Sequence, residues 1–339
     1  MPSPVEALTQ AVYYLDRELA PSSKVRAFLR AAEVVESIGD EETARRAREG
    51  TLTELDGIGP STSQVITEAL DGVTNGYLSK LESRSRISAG EGAEIRHALR
   101  GDCHVHSTWS DGGAPARAMA ETAIALGHDY MVLTDHSARL TIAHGLNEAR
   151  LRSQLDEVRA LNEELAPFRI LTGMEVDILE DGALDLSEPM LRELDIVVAS
   201  VHSKFRMPRE EMTRRMVLAV ASPHVDILGH CTNRKVSGGG RAPVQFDPEI
   251  VFAACSQFDT AVEINCRPER QDPPEELLAL ALDWECHIAI STDAHAPGQM
   301  EWQPYGCDKA ARCGVPIESI VNTWSADDLV AWAGSRSTD

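Results

Sequence analysis

The sequence has no C-x-x-C pair, no apolar run long enough to span a membrane, no basic stretch at its start and no surplus of positive charge. Its seven cysteines (103, 231, 255, 266, 286, 307 and 313) form an odd set, which argues against a disulfide framework or a zinc ribbon and for buried or inert thiols. The opening MPSPVEALTQ lacks the basic-then-apolar order of a signal peptide, so the expectation is a cytoplasmic chain without membrane association. A net charge of −22 favours solubility and opposes non-specific adhesion to nucleic acid. Residues 1–100 hold 12 Lys/Arg against 16 Asp/Glu and the remainder 20 against 38, so neither part is a basic nucleic-acid module. A polyanionic substrate would need metal ions or a local basic cluster. No G-x-G-x-x-G follows the first strand-like run, which leaves a dinucleotide fold with little support.

With 339 residues, 43% hydrophobic and 25% charged, the chain has the make-up of a soluble globular protein of about two domains. Residues 1–82 read as helical, with periodic apolar positions in VEALTQAVYYLDREL, KVRAFLRAAEVVESI and STSQVITEALDGV. Breaks are expected at Pro21-Ser22-Ser23, Gly39-Asp40 and Asp56-Gly57-Ile58-Gly59-Pro60. Residues 83–99 read as a linker, and residues 326–339 as a C-terminal tail. From residue 100 short apolar runs alternate with helix-like segments. The runs are CHVH (103–106), YMVLT (130–134), RILTGME (169–175), DIVVASVH (195–202), VDILGH (225–230), TAVEIN (260–265) and HIAIST (287–292). Such alternation predicts a mostly parallel sheet, and its regularity favours closure into a barrel over an open doubly wound sheet.

Polar residues gather at the ends of these runs. His104 and His106 close the first, Asp135-His136 the second, Glu175 the third, His202 the fourth, His230 the fifth, and Asp293 and His295 the seventh. In a barrel of parallel strands these ends converge on one face. Six of the 11 histidines fall there, and the other five (97, 128, 144, 224 and 287) read as structural. So many imidazoles and carboxylates would repel or desolvate badly without cations, and the nitrogen and oxygen set suits zinc, manganese or iron. The candidates exceed what one ion needs and imply two or three, with Glu175 as a bridging carboxylate. The H-x-H spacing turns His104 and His106 to one side of a strand. The Ser-Asp-Gly-Gly turn can fold Asp111 back over the strand tip.

The set HVHSTWSDG, LTDHS, GMEVDI, VHS, LGH, EIN and TDAH resembles the PHP (polymerase and histidinol phosphatase) superfamily, and in particular the PHP domain of bacterial X-family DNA polymerases. The resemblance spans about residues 100–325. It implies an α/β fold, a distorted (β/α)7 barrel holding up to three metals, preceded by a small all-α helix-hairpin-helix domain. By position, His104, His106, Glu175 and Asp293 would hold a first ion, Glu175, His202 and His230 a second, and Asp111, His136 and His295 a third. The catalytic set so implied is His104, His106, Glu175, Asp293 and Asp135, the last orienting a neighbouring ligand. Residues 1–82 resemble the DNA-binding domain of the same polymerases. In LDGIGPSTSQVI, Gly57, Ile58 and Gly59 would present backbone N–H groups to a DNA phosphate.

Two departures stand out. Residues 83–99 are too few to hold a polymerase catalytic domain, and the position of the lyase lysine of related polymerases is Val65 here. Neither DNA synthesis nor Schiff-base lyase chemistry by that residue is therefore expected. The expected activity is hydrolysis of a phosphate ester by a metal-bridged hydroxide. Arg234, Arg267, Arg270, Lys204 and Arg206 are the candidate substrate contacts. DNA end processing (3′–5′ exonuclease or 3′-phosphatase) is the leading reading, with DNA a possible partner of residues 1–82. A histidinol-phosphatase-like enzyme and a non-catalytic DNA-repair scaffold are the alternatives.

Overall fold

The computed structural model describes residues 2–335. It divides into two compact units, Met1–Ile87 with Pro297–Gln299, and Ser88–Ala296 with the chain from Met300 onward.

The first unit carries helices α1 (Pro4–Arg17), α2 (Ser22–Glu49), α3 (Pro60–Asp71) and α4 (Tyr77–Ser85). Helix α1 opens with a capping box: Glu6 N–H donates to Ser3 Oγ at 3.2 Å and Ser3 N–H to Glu6 Oε2 at 2.7 Å. The expected break at Gly39-Asp40 is a kink inside α2, where Gly39 takes φ +80°. Leu8, Leu15, Phe28, Leu52 and Ile66 form the core of this unit, so its apolar stripes face inward as their 3.6-residue period requires.

The second unit begins with α5 (Ala93–Ala98) and continues as β1 (Gly101–Val105), α6 (Ala116–Ala125), β2 (Tyr130–Leu133), α7 (Glu148–Leu165), β3 (Arg169–Asp177), α8 (Glu188–Leu191), β4 (Ile196–Ser200) and α9 (Arg209–Val220). Then come β5 (Ile227–Leu228), α10 (Pro248–Gln257), β6 (Ala261–Asn265), α11 (Glu275–Asp283), β7 (Ile288–Ser291), α12 (Gln303–Arg312) and α13 (Ala326–Ser335). Each of the seven apolar runs overlaps one strand. All six neighbouring pairs are parallel and follow chain order from β1 to β7. A parallel bridge between Val105 and Ala294, with His106 N–H donating to Ala294 O at 2.8 Å, brings the first strand to the end of the last. The sheet is a nearly closed seven-stranded barrel.

Two segments read as connecting chain are largely built into this unit, although residues 83–87 belong to the first unit and 83–85 close α4. Within 83–99 lies helix α5, and Gly90 and Gly92 N–H both donate to Asp308 Oδ1 at 2.8 Å. Ile95 and Leu99 are buried, so two apolar residues seat a stretch that begins small and polar. Residues 326–335, the start of the expected tail, form α13. Its Leu329 and Ala333 share a core cluster with Cys103, Tyr130, Val198 and Ala289 of the strands, because the barrel floor offers apolar surface that water must leave. Residues 336–339 of that tail lie outside the described residues.

His128, at the turn from α6 into β2, is 5% exposed, and neither ring nitrogen has a hydrogen-bond partner. Burial, aided by the charge of Arg96, pushes its imidazole down from 6.5 to about 4. Between those values the unfolded chain binds a proton that the folded chain refuses, so this contribution to stability is complete above pH 6.5 and is lost as pH falls toward 4. His128→Leu should therefore lose less stability than the parent between pH 7 and pH 5, by roughly 2 kcal/mol in urea-unfolding free energy. The same pH dependence in both proteins would show that His128 is not held neutral.

Candidate metal centre

The site sits at the C-terminal ends of the strands. Successive side chains of β1 alternate, so His104 and His106 face the same way, with ring centroids 5.0 Å apart, and both are fully buried. Glu175, on β3, stands among five imidazoles. Its Oε2 lies 2.9 Å from His136 Nδ1, 3.3 Å from His104 Nε2 and 3.5 Å from His106 Nε2. Its Oε1 lies 3.1 Å from His202 Nε2 and 2.9 Å from His230 Nε2. Asp293 Oδ1 is 3.3 Å from His106 Nε2. Asp111 Oδ1 is 3.5 Å from His136 Nε2 and 3.4 Å from His295 Nε2. Thus Asp111, separated in sequence from every strand run, joins the cluster.

Local structure explains how it arrives. Gly112 N–H donates back to Ser107 O at 2.9 Å and Gly113 N–H to His295 O at 2.6 Å. A Cβ at Gly112 would sit 2.6 Å from the Ser107 backbone, so the fold-back needs glycine there. Asp135 fastens the same loop. It accepts from Ser107 N–H (2.9 Å) and Oγ (2.7 Å), Ser110 N–H (3.1 Å) and Oγ (2.5 Å), and Gln154 Nε2 (2.6 Å). Its oxygens are directed at the loop that carries Asp111, outside the ligand groups, which places it one layer behind them. His230 (φ +21°) and Asp293 (φ +53°) adopt left-handed backbone, a strained choice for residues with a Cβ and one that clusters at functional sites.

Among the described residues, three groups have candidate ligand atoms within 4.8 Å of one another: His106, Asp111, His136 and His295; His104, His106 and Glu175; and His136, Glu175 and His202. His106 and His136 each belong to two groups, so the ions would lie side by side. His230 and Asp293 flank these groups through Glu175 and His106. Buried and without a hydrogen-bond partner are His104 Nε2, both nitrogens of His106, His136 Nδ1 and Glu175 Oε2. Buried polar atoms are rarely left unpaired. Orphaned imidazole nitrogens aimed at a shared carboxylate are what divalent ions of the zinc, manganese or iron kind would satisfy.

The electrostatics agree. Burial alone would raise the Glu175 carboxyl, but the imidazoles of His202, His104 and His136 hold it well below the usual carboxylate range. Burial also disfavours a charged His202, yet Glu175 and Asp177 push its imidazole up to about 9. His106, crowded by His295 and His136 as well as buried, goes well down. The carboxylates and imidazoles therefore pull against one another, a conflict that bound cations remove.

Several partners escaped the reading of strand ends. Glu263, fully buried on β6, lies 2.7 Å (Oε1) from His104 Nδ1 and accepts from His230 N–H at 2.6 Å. Asn265, two residues on, donates to Asp293 Oδ2 at 3.1 Å. The pair E-x-N on β6 thus repeats the alternation of H-x-H on β1, and that period was the available signal. Asp177 accepts from His202 N–H at 3.0 Å, and Asp102 takes the Thr292 hydroxyl at 2.5 Å, tying β1 to β7.

The expected substrate contacts divide. Arg270 Nε lies 3.4 Å from Asp293 Oδ2, at the edge of the cluster. Arg267 is also close, but it is paired with Glu269 at 2.8 Å and donates to Asp293 O at 2.8 Å. Arg234 donates to the carbonyls of Arg270 and Gln271, so it braces the loop. Lys204 is exposed beside Glu180 at 3.4 Å, and Arg206 is exposed. In the first unit, Ile58 N–H donates to Leu55 O at 3.1 Å and Gly59 N–H to Thr62 Oγ1 at 2.9 Å. Those two amides already have partners within the unit.

Residues 102–250 match the PHP domain family model. A DNA polymerase/3′-5′ exonuclease PolX of Bacillus subtilis (strain 168) is 39% identical over 234 residues, which cover 69% of this chain and 41% of that protein. The chain thus spans less than half the length of that relative. A "Probable phosphatase" of Thermoanaerobacter sp. (strain X514) is 30% identical over 234 residues, covering 66% of this chain and 89% of that one. A solved histidinol phosphate phosphatase from Lactococcus lactis, complexed with zinc, L-histidinol and phosphate, aligns with a TM-score of 0.41 at 17% identity, over 63% of this chain and 94% of that chain, a likeness too loose to bear on chemistry. With the strand order and the histidine cluster already in view, the match of motif and of length makes this chain a member of the PHP domain family.

Proposed function

We propose that the barrel is a metal-dependent phosphoesterase whose substrate is the 3′ end of a DNA strand, cleaved as a 3′–5′ exonuclease or a 3′-phosphatase. The observation that carries the hydrolase reading is Glu175, buried among five imidazoles, three of which (His104, His106 and His136) leave an unpaired nitrogen facing it. His104, His106, Asp111, His136, Glu175, His202, His230, Asp293 and His295 would hold two or three divalent ions. Bound there, such ions lower the pKa of water toward neutrality and offset charge on phosphoryl oxygens.

The chain's own residues prepare that chemistry. Glu263 at His104 Nδ1 fixes the tautomer that leaves Nε2 free to face Glu175 and Asp293. Asp177 accepts from the His202 backbone N–H at 3.0 Å and lies 3.6 Å from its Nδ1, a negative charge beside that ring. Asp135 holds the Ser107–Ser110 turn and so the approach of Asp111. Arg270, beside Asp293, is placed to meet an anionic oxygen. The DNA reading is supported by similarity to a polymerase with 3′–5′ exonuclease in its name. A small-molecule phosphomonoesterase is the second reading, favoured by the −22 net charge. The intact ligand set counts against a purely structural role.

Protein loaded with manganese, and separately with zinc or iron, should release product from a 3′-phosphorylated oligonucleotide or shorten a plain single strand. Turnover of histidinol phosphate alone would overturn the DNA reading, and inertness toward all three substrates would overturn the hydrolase reading. His202→Ala and Asp293→Ala should each abolish turnover with the circular dichroism spectrum retained; full activity in either would remove that residue from the site. Glu263→Gln should weaken binding of manganese by about 10- to 100-fold in a chelator competition, the usual loss for a partner behind a ligand. Parental affinity would show that Glu263 does not orient His104.

A further inference from the structure

The loop after β5 carries a feature that neither the ion-binding groups nor the fold requires. Lys235 and Arg241 face each other as a hydrogen-bonded antiparallel pair, with Lys235 N–H to Arg241 O and Arg241 N–H to Lys235 O both at 2.9 Å. Directly opposite residues of such a pair project to the same face, and like charges there destabilise the pairing. The connection between them is built on Gly238, Gly239 and Gly240, all in left-handed backbone (φ +67°, +99° and +63°). At Gly238 and Gly239 even an added Cβ would meet nothing within 4 Å, so this tip opens to solvent.

The surroundings sharpen the anomaly. In a chain with 54 acidic against 32 basic residues, neither Lys235 nor Arg241 makes an ion pair among the described residues. Arg241 donates from Nε to Asn233 O at 2.8 Å and from its other arm to Asn233 Oδ1, and it lies over the Phe205 ring at 4.4 Å. Arg270 Nη1 donates to the same Asn233 Oδ1 at 3.1 Å. Two guanidinium groups therefore converge on one neutral oxygen, and the second of them touches Asp293. The nearby carboxylates are engaged elsewhere: Glu269 with Arg267, and Asp272 with the Thr232 hydroxyl at 2.7 Å. Burial and the charges of Arg270 and Arg241 lower the Lys235 ammonium against the opposing pull of Glu269, so the cations outweigh the counter-charge around it.

Cations fixed beside a phosphate-ester site without a direct ion pair of their own form an anion subsite. Resting on the phosphoesterase reading above, we propose that Lys235 and Arg241 bind the phosphate next to the reacting one in a nucleic acid strand. The reacting phosphate would then lie by Asp293 and Arg270, and its neighbour at the hairpin, one step along the line Asp293–Arg270–Asn233–Arg241. The site would thereby select substrates with two phosphates separated by a nucleoside over simple monoesters.

Calorimetric binding to the full chain with manganese present tests this without requiring turnover. Thymidine 3′-monophosphate carries only the reacting phosphate, whereas the dinucleotide d(TpTp) carries one more. The parent should bind d(TpTp) about tenfold more tightly, and Lys235→Gln should lose most of that margin, about 1.4 kcal/mol. For longer strands, the slope of log affinity against log salt should become shallower by about 0.7 in Lys235→Gln, as loss of one phosphate contact requires. Arg241→Lys should retain more of the margin than Arg241→Gln. Because Arg241 also braces Asn233, Lys235→Gln decides if Arg241→Gln unfolds. Equal affinity of the parent for both ligands, or equal losses on both in Lys235→Gln, would overturn the subsite. An equal preference for thymidine 3′-diphosphate would assign the pair to a pyrophosphate and overturn the strand reading. If d(TpTp) binds as expected but no phosphate ester is turned over, the phosphoesterase reading fails and the subsite stands.

Discussion

Everything at the mouth of this barrel is arranged around one buried carboxylate. Glu175 is 1% exposed, and a lone carboxylate taken out of water is costly unless opposite charge or hydrogen-bond donors surround it. Here the surroundings are five imidazoles from four strand ends, most of them buried as well. Protonating them all would stabilise Glu175 at the cost of packing cations together, and leaving them neutral strands their lone pairs. Shared divalent ions would resolve both problems. That single requirement accounts for the otherwise unpaired atoms and for the second layer formed by Glu263, Asp177, Asp102 and Asn265.

The second layer also shows that the ligands are held from behind by neighbouring strands. Glu263 on β6 reaches His104 on β1 and the backbone of His230 after β5. Asn265 reaches Asp293 beyond β7. These crossings join elements far apart in sequence, so the orientation of any one ring depends on the register of its neighbours. The turn fastened by Asp135 extends the same logic to Asp111.

Much of this was legible in the sequence because two signals are strong there. Short apolar runs bounded by turn residues located all seven strands, and histidines at their ends located the clustered imidazoles. Residues such as Glu263 and Asp177 were harder to find, since each lies inside or just past an apolar run and looks like a single polar interruption. The period-two step from Glu263 to Asn265 carries the information, but only once the barrel says which face is inward. Helix α13 was read as a tail because ADDLVAWAGS is short; its Leu329 and Ala333 acquire meaning only from the floor they cover. At Ile58 and Gly59, turn glycines marked the bend correctly, yet composition could not reveal that Leu55 and Thr62 already occupy those amides. Lys235 and Arg241 stayed hidden for a similar reason, since like charges six positions apart become neighbours only through a three-glycine reversal.

The bridge from Val105 to Ala294 has a consequence for assembly. His104 and His106 come from one edge of the sheet, and Asp293 and His295 from the other, so the ligands straddle the seam where the cylinder shuts. Ions gripped across that seam would act as a clasp, adding their binding free energy to barrel closure. Residues nearly 190 positions apart must meet before the clasp can form, which makes this a contact of high loop-closure cost and a late event in folding.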